Sequence, residues 1–217
     1  EGTIAVAIDD LLLRRAHGRD VRGTVRLRRG VIDLTGLGLR AFGGSLALTG
    51  TLDLSAPGGG RFDLESRVEA VQARELFAYA AAFNRFARLG EFLQGEIDLT
   101  AGLSGSFDET LGVDPLSLTS SGSLQMENGS LSEYPLQLAL ADYLDAPSLA
   151  SLAIADWAQP FRIENGRLAF EGMSLAAGDI EVTGRGWQAL DGSVEMHLNM
   201  ALPHRFAQAI RAQIPSE

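Results

Sequence analysis

The chain has 217 residues, of which 46% are hydrophobic and 21% charged, with a formal charge of -10 and no cysteine. This is folded globular material by composition, its negative charge argues against a nucleic-acid surface, and the missing cysteine excludes disulfides, thiolate catalysis and cysteine metal sites. No charge-free apolar run approaches the roughly 18 residues of a membrane-spanning helix.

Residues 3 to 8 and 21 to 28 alternate apolar with polar positions, the period of a strand with one dry and one wet face. Asp9-Asp10 and His17-Gly18 read as turn or loop material between them. Arginines crowd this region (Arg14, Arg15, Arg19, Arg22, Arg26, Arg28 and Arg29), and every basic residue of the chain is arginine. They suit either a solvated strand face or contact with phosphate headgroups or an acidic partner through guanidinium forks. From Val25 to Leu54 the pattern predicts several short strands broken at Gly30, Gly36 to Gly38, Gly43-Gly44 and Gly50, and residues 61 to 68 predict another. At Gln72 the period changes. Residues 73 to 89 carry Leu76, Tyr79, Ala80, Phe83, Phe86 and Ala87 at helical spacing, a stripe that either caps a sheet or lies on a membrane surface.

Strand patterning resumes at residues 95 to 103, at 116 to 118 and at 123 to 126. Asn128-Gly129, like Asn165-Gly166, offers the positive φ values of a tight hairpin turn. A second helix is expected over residues 135 to 145, with Pro135 in its first turn and Pro147 beyond its end. A short helical or turn segment follows at 148 to 155, Trp157 is expected to pack where the chain returns to the sheet, and the segment from Phe161 to Gly186 is strand-like. Val194, Met196, Leu198 and Met200 mark a last strand, and residues 204 to 213 a terminal helix.

One β unit recurs, with copies at about 21–54, 116–134 and 159–200. Val25, Leu27, Ile32, Leu34, Leu37 and Leu39 fall on Phe161, Ile163, Leu168, Phe170, Met173 and Leu175, with Gly30 on Gly166 and Gly36 on Gly172. A two-residue length difference at Phe42-Gly43-Gly44 then places Leu46 and Leu48 on Ile180 and Val182. A partial third copy, Leu124 to Leu131, matches Phe161 to Leu168. Sharing a unit between both halves favours one continuous domain over residues 1–217. Its sequential strands are expected to pair with their neighbours as a mainly β, antiparallel meander.

Catalytic patterns are missing. His17, His197 and His204 have no metal-binding spacing, and no Gly-x-Ser-x-Gly or phosphate-loop motif occurs. Gly36-Leu-Gly38 lacks the third glycine and the following helix of a dinucleotide site, and the acidic residues sit singly on polar strand positions. No enzyme, metal or cofactor is expected.

A glycine-rich strand pair, LQMENGSLSEYPLQLAL, PFRIENGRLAFEGMSLAAGDIEVTGRG and DGSVEMHLNMALP together resemble the C-terminal region of the AsmA family, and GTVRLRRGVIDLTGLGLRAFGGSLALTGTLDLS resembles the segment before it. The resemblance implies a strongly curved, groove- or taco-like sheet with two or three amphipathic helices packed on it or capping it. It further implies a C-terminal excerpt of a longer periplasmic protein, anchored in the inner membrane by an N-terminal helix not included here. The function it implies is phospholipid transfer and outer-membrane homeostasis.

The expected function is therefore one section of a lipid-binding groove. Phospholipid acyl chains would lie on Leu27, Ile32, Leu34, Leu46, Leu48, Ile97, Leu99, Phe161, Ile163, Leu168, Phe170, Ile180 and Val182. The alternative is a structural module that binds other envelope proteins through open sheet edges, without lipid.

Overall fold

The computed structural model describes residues 1–13, 16–56, 58–81, 92–110, 112–143, 146–189, 193–201 and 203. The strands form one antiparallel sheet of twelve. β1 (Gly2–Leu13), β2 (Ala16–Arg28), β3 (Val31–Ala41), β4 (Gly44–Asp53) and β5 (Gly60–Gln72) follow one another, and α1 (Ala73–Ala81) separates them from β6 (Leu93–Phe107) and β7 (Thr119–Ser132). Then come α2 (Pro135–Tyr143), a 3-10 turn (Pro147–Ala150), β8 (Ser151–Ile154), β9 (Trp157–Glu164), β10 (Arg167–Ala177), β11 (Ile180–Ala189) and β12 (Val194–Ala201). Spatial order follows chain order, except that β8 and β9 share one place between β7 and β10, each pairing with both.

Two hairpins show how local chemistry builds this sheet. Arg29-Gly30 (φ 47° and 85°) joins β2 to β3, and Asn165-Gly166 (φ 52° and 69°) joins β9 to β10. Two central residues of positive φ make a turn whose twist matches that of the strands it connects.

Long strands need a second device. A strand shows its residues to alternate faces, so any extra residue turns the remainder over. The apolar series of β3 runs Ile32, Leu34, then Leu37, Leu39 and Ala41, and the odd step is taken up at Gly36 (φ 57°), where the β3–β4 register shifts. Gly172 (φ 63°) does the same between Phe170 and Met173. Ala70 (φ 51°) does so between Val68 and Val71, its amide donating to Asp98 Oδ1 at 2.7 Å. Further bulges lie at Asp20 in β2 and where Asn128 of β7 meets Gly95 of β6.

These bulges correct several expectations. Gly36 to Gly38 and Gly50 do not end strands but lie inside β3 and β4, and Asp9-Asp10 and His17-Gly18 lie inside β1 and β2. Asn128-Gly129 is no hairpin turn, because β7 continues through it from pairing with β9 to pairing with β8. Residues 116 to 118 are not a strand: Asp114 turns the chain there, accepting from the Leu116 amide through Oδ1 (3.0 Å) and from the Ser117 amide through its carbonyl (3.1 Å). The segment expected as helix or turn at 148 to 155 divides into the 3-10 turn and β8.

The pairing also redraws the repeat. Leu34 faces Gly50 as Phe170 faces Gly186, Leu37 faces Leu48 as Met173 faces Gly184, and Ala41 faces Gly44 as Ala177 faces Ile180. One constant offset carries the first set onto the second, so there is no length difference: Leu46 corresponds to Val182 and Gly44 to Ile180. The same offset extends the repeat towards the N-terminus, for Arg19 faces Arg40 while Ala155 N donates to Ala176 O at 2.9 Å. The bulge at Asp20 falls where β8 gives way to β9.

Of the helix expected at 73 to 89, residues 73 to 81 are helical, and Phe83, Phe86 and Ala87 lie outside the described residues. The second helix is seen over residues 135 to 143, and the terminal helix at 204 to 213 again lies outside them. The main core forms under α1, where Ala73, Ile97, Met126, Ile154 and Ala177 are buried with Leu76, Phe77 and Trp157 against them. A second cluster joins Ala141, Ala146 and Leu149 to Ile180.

A β-carbon on Gly36 would meet open space, so Gly36→Ala carries only the cost of a left-handed backbone, about 1–2 kcal/mol. Ala70→Gly removes such a cost at the equivalent device of β5 and offsets it with chain entropy of about 0.5–1 kcal/mol. Urea unfolding is expected to show a clear loss for the first variant and no loss for the second.

Candidate functional site: the apolar face of the sheet

Directly paired residues of neighbouring strands share a face, so the ladders assemble the strands' apolar series into rows. One row reads Leu27, Ile32, Leu52 and Phe62. The next crosses the whole sheet as Ile4, Val25, Leu34, Gly50, Leu64, Leu103, Ser120, Ile163, Leu168, Gln188 and Val194. Beyond it Leu37, Leu48, Ser66, Ala101, Gly122 and Phe161 align, then Leu39, Leu46, Val68, Leu99, Leu124 and Gln159, then Val71, Ile97, Met126 and Trp157. On the far strands Phe170 shares a row with Met196, and Val182 with Leu175 and Met200.

All thirteen residues singled out from the sequence therefore lie on this one face, although their surroundings differ. Ile97 is fully buried under α1, Ile180 is buried beside Leu149, and Leu34 is buried within the sheet. Ile32, Leu46, Leu48, Leu99, Phe161, Ile163, Leu168, Phe170 and Val182 are half-buried, and Leu27 is 47% exposed. The two core clusters take in Ile97, Ile180 and Val182 but none of the other ten. Among the described residues the covered part of the face is thus the end where α1 and α2 enter and leave, and the rows through Leu27 and Leu34 continue past it.

Sequence reading missed Val68, Val71, Leu103, Leu124, Met126 and Met173 as members of the same rows. The apolar type at each position was visible. For Val71 and Met173 the phase was not, because each follows a bulge that reverses it.

Of the polar side chains that interrupt these rows, Ser120 and Gln159 are buried and are satisfied within the face. Ser120 Oγ donates to Gly102 O at 2.7 Å, and Gln159 Nε2 donates to the carbonyls of Pro160 (2.8 Å) and Glu171 (3.3 Å), bridging β9 and β10. Trp157 Nε1 and Gln137 Oε1 are buried without a partner among the described residues. At the opposite strand ends Phe62 stacks on Phe107, with centroids 6.3 Å apart and planes 7° from parallel.

The reverse face is polar. Arg22 bonds Asp9 at 2.7 Å, Arg28 bonds Asp33 at 2.6 Å and Arg67 bonds Glu69 at 2.7 Å, exposed pairs worth at most about 1 kcal/mol each. Arg167 lies over the ring of Trp187 at 4.1 Å. The hollows at Asp63, Ser104 and Arg162 and at Arg67, Asp98 and Gln125 open on this polar side. Among the described residues no three histidine or acidic side chains gather as metal ligands, and no helix is long and apolar enough to cross a membrane. At one end of the sheet, the Thr110 hydroxyl (2.6 Å), followed by the Gly112 and Thr110 amides, holds the Asp108 carboxyl below the ordinary aspartate range.

Comparison with protein-family models, with curated proteins and with solved structures finds no match.

The difference in surroundings has a measurable consequence. Ile97→Ala is expected to cost about 2–5 kcal/mol, as a fully buried residue under a helix should. Leu27→Ala, on the same face but nearly half exposed, is expected to stay within about 1 kcal/mol in the same denaturation assay.

Proposed function

We propose that this chain is a section of a lipid-binding groove, built on an AsmA-like plan in which a curved sheet holds phospholipid acyl chains along its apolar face. The observation that carries this reading is the continuity of one apolar face across the sheet, with the described helices covering only the end at which they connect strands. A sheet that is apolar on one side must bury that side against something. Acyl chains supply a partner without any catalytic residue, at roughly 0.8 kcal/mol for each methylene buried. The bulges in β2, β3, β5, β7 and β10 support the curvature that a groove requires, since each bends and further twists its strand. In this reading the parent protein is periplasmic and held in the inner membrane, and it contributes to outer-membrane homeostasis by moving phospholipid.

A second reading rests on the two edges. β1 exposes Ile4 (61%) and Leu12 (73%), and β12 exposes Val194 (56%), Leu198 (56%) and Met200 (53%). Open edges with apolar side chains are templates for another strand, so the chain would then be an assembly module that pairs with an envelope protein and carries no lipid.

Mass spectrometry of lipids extracted from the purified chain separates the two, with Ile163→Asp and Phe170→Asp variants and a mock purification alongside. Stoichiometric phospholipid, lost in variants that keep their far-ultraviolet circular dichroism and cooperative unfolding, is the expected result. A folded chain free of lipid would reject the groove and leave the edge-pairing module.

A further inference from the structure

Of the arginine cluster singled out in the sequence, Arg14 and Arg15 lie outside the described residues, and the others differ in their surroundings. Arg22 and Arg28 are neutralised by Asp9 and Asp33. Arg19 and Arg40 instead stand directly opposite each other on β2 and β3, a like-charge pair that destabilises a sheet unless something lies between the two charges. Asp10 approaches Arg19 only to 3.9 Å, with both side chains largely exposed, and Arg40 has no carboxylate partner among the described residues. Glu69, across β4, is already engaged by Arg67 at 2.7 Å and by the Ser45 hydroxyl at 3.3 Å. Together with His17, itself bonded to Asp10 at 3.1 Å, the turn at Phe42-Gly43 and the engaged Glu69, the two arginines line a hollow of about 560 Å³ on the polar face.

The internal repeat supplies a control within the same molecule. Where the first copy has His17, Arg19 and Arg40, the second has Ala153, Ala155 and Ala176, and its strands still pair there through the Ala155–Ala176 hydrogen bond of 2.9 Å. The fold therefore needs no arginine at either place, and the charges are an addition peculiar to the first copy.

We propose that this hollow is an anion site in which Arg19 and Arg40 grip a phosphate group. A guanidinium fork matches the oxygens of a phosphate in two parallel hydrogen bonds, and a doubly charged anion between two forks turns their repulsion into attraction. The volume accommodates a phosphate monoester or the headgroup of an anionic lipid. The site lies on the opposite face from the proposed acyl-chain surface and does not depend on it.

The test uses the whole chain with Arg40→Ala and Arg28→Ala, the latter removing an arginine already neutralised by Asp33. Calorimetric titration with inorganic phosphate and glycerol phosphate, and flotation with phosphatidylglycerol or phosphatidylcholine vesicles, are run at low ionic strength. Binding weakened roughly tenfold or more in Arg40→Ala and unchanged in Arg28→Ala is expected. Soluble phosphate bound in this pattern assigns the site to a free phosphate, and phosphatidylglycerol vesicles bound in this pattern assign it to a headgroup. Equal binding by both variants, or no binding to either probe, overturns the site. Arg40→Ala copies what the second repeat already carries, so its folded state is expected to survive, which circular dichroism checks.

Discussion

Parity governs this molecule. Strands that are apolar on one side and polar on the other keep a dry face only while every residue holds its phase, and one additional residue exposes everything after it. Most strands here are ten residues or longer. Five of them contain such an additional residue, and at each a left-handed backbone absorbs it: Asp20, Gly36, Ala70, Asn128 and Gly172. Without these corrections Leu37, Val71 and Met173 would point to solvent. The rows of apolar side chains, the cores under α1 and α2 and the segregation of charge to the reverse face all follow from phase being kept.

Alternation made much of this legible in advance: a mainly β antiparallel meander, the helical change of period after Gln72, and thirteen residues that share a face. What stayed hidden was pairing. Asn128-Gly129 and Asn165-Gly166 carry the same local chemistry, yet Asn165-Gly166 reverses the chain and Asn128-Gly129 bends a strand. The flanks of Asn165-Gly166 pair with each other, whereas those of Asn128-Gly129 pair with β6 on one side and with β8 and β9 on the other. Residue type states that positive φ is available there, and only long-range partners decide how it is used. The full extent of the repeat was obscured for a similar reason, since α2 and the 3-10 turn precede β8 in the second copy and a break replaces the bulge of Asp20.

The candidate site was legible as a face but not as a set of environments. Ile97 and Ile163 follow the same alternation, yet Ile97 lies beneath α1 and no described helix covers Ile163. Apolar periodicity reports which side is dry and not what covers it. The arginines show the converse, in that a cluster uniform in sequence holds both neutralised members, Arg22 and Arg28, and an opposed one, Arg19, once strand register is known. Comparing two copies of one unit inside a single chain then distinguishes residues the architecture requires from residues added to it.

Because spatial order follows chain order, nearly every strand depends only on its immediate neighbours. Architectures of this kind behave as one-dimensional arrays, in which stability is a sum of unit and nearest-neighbour contributions. Inserting a whole hairpin leaves the phase of every other strand untouched, so evolution can lengthen such a sheet without redesigning what is already there. The two hairpin runs of this chain that share one register at a constant offset follow that logic, and the width of the apolar face is correspondingly set by the number of units.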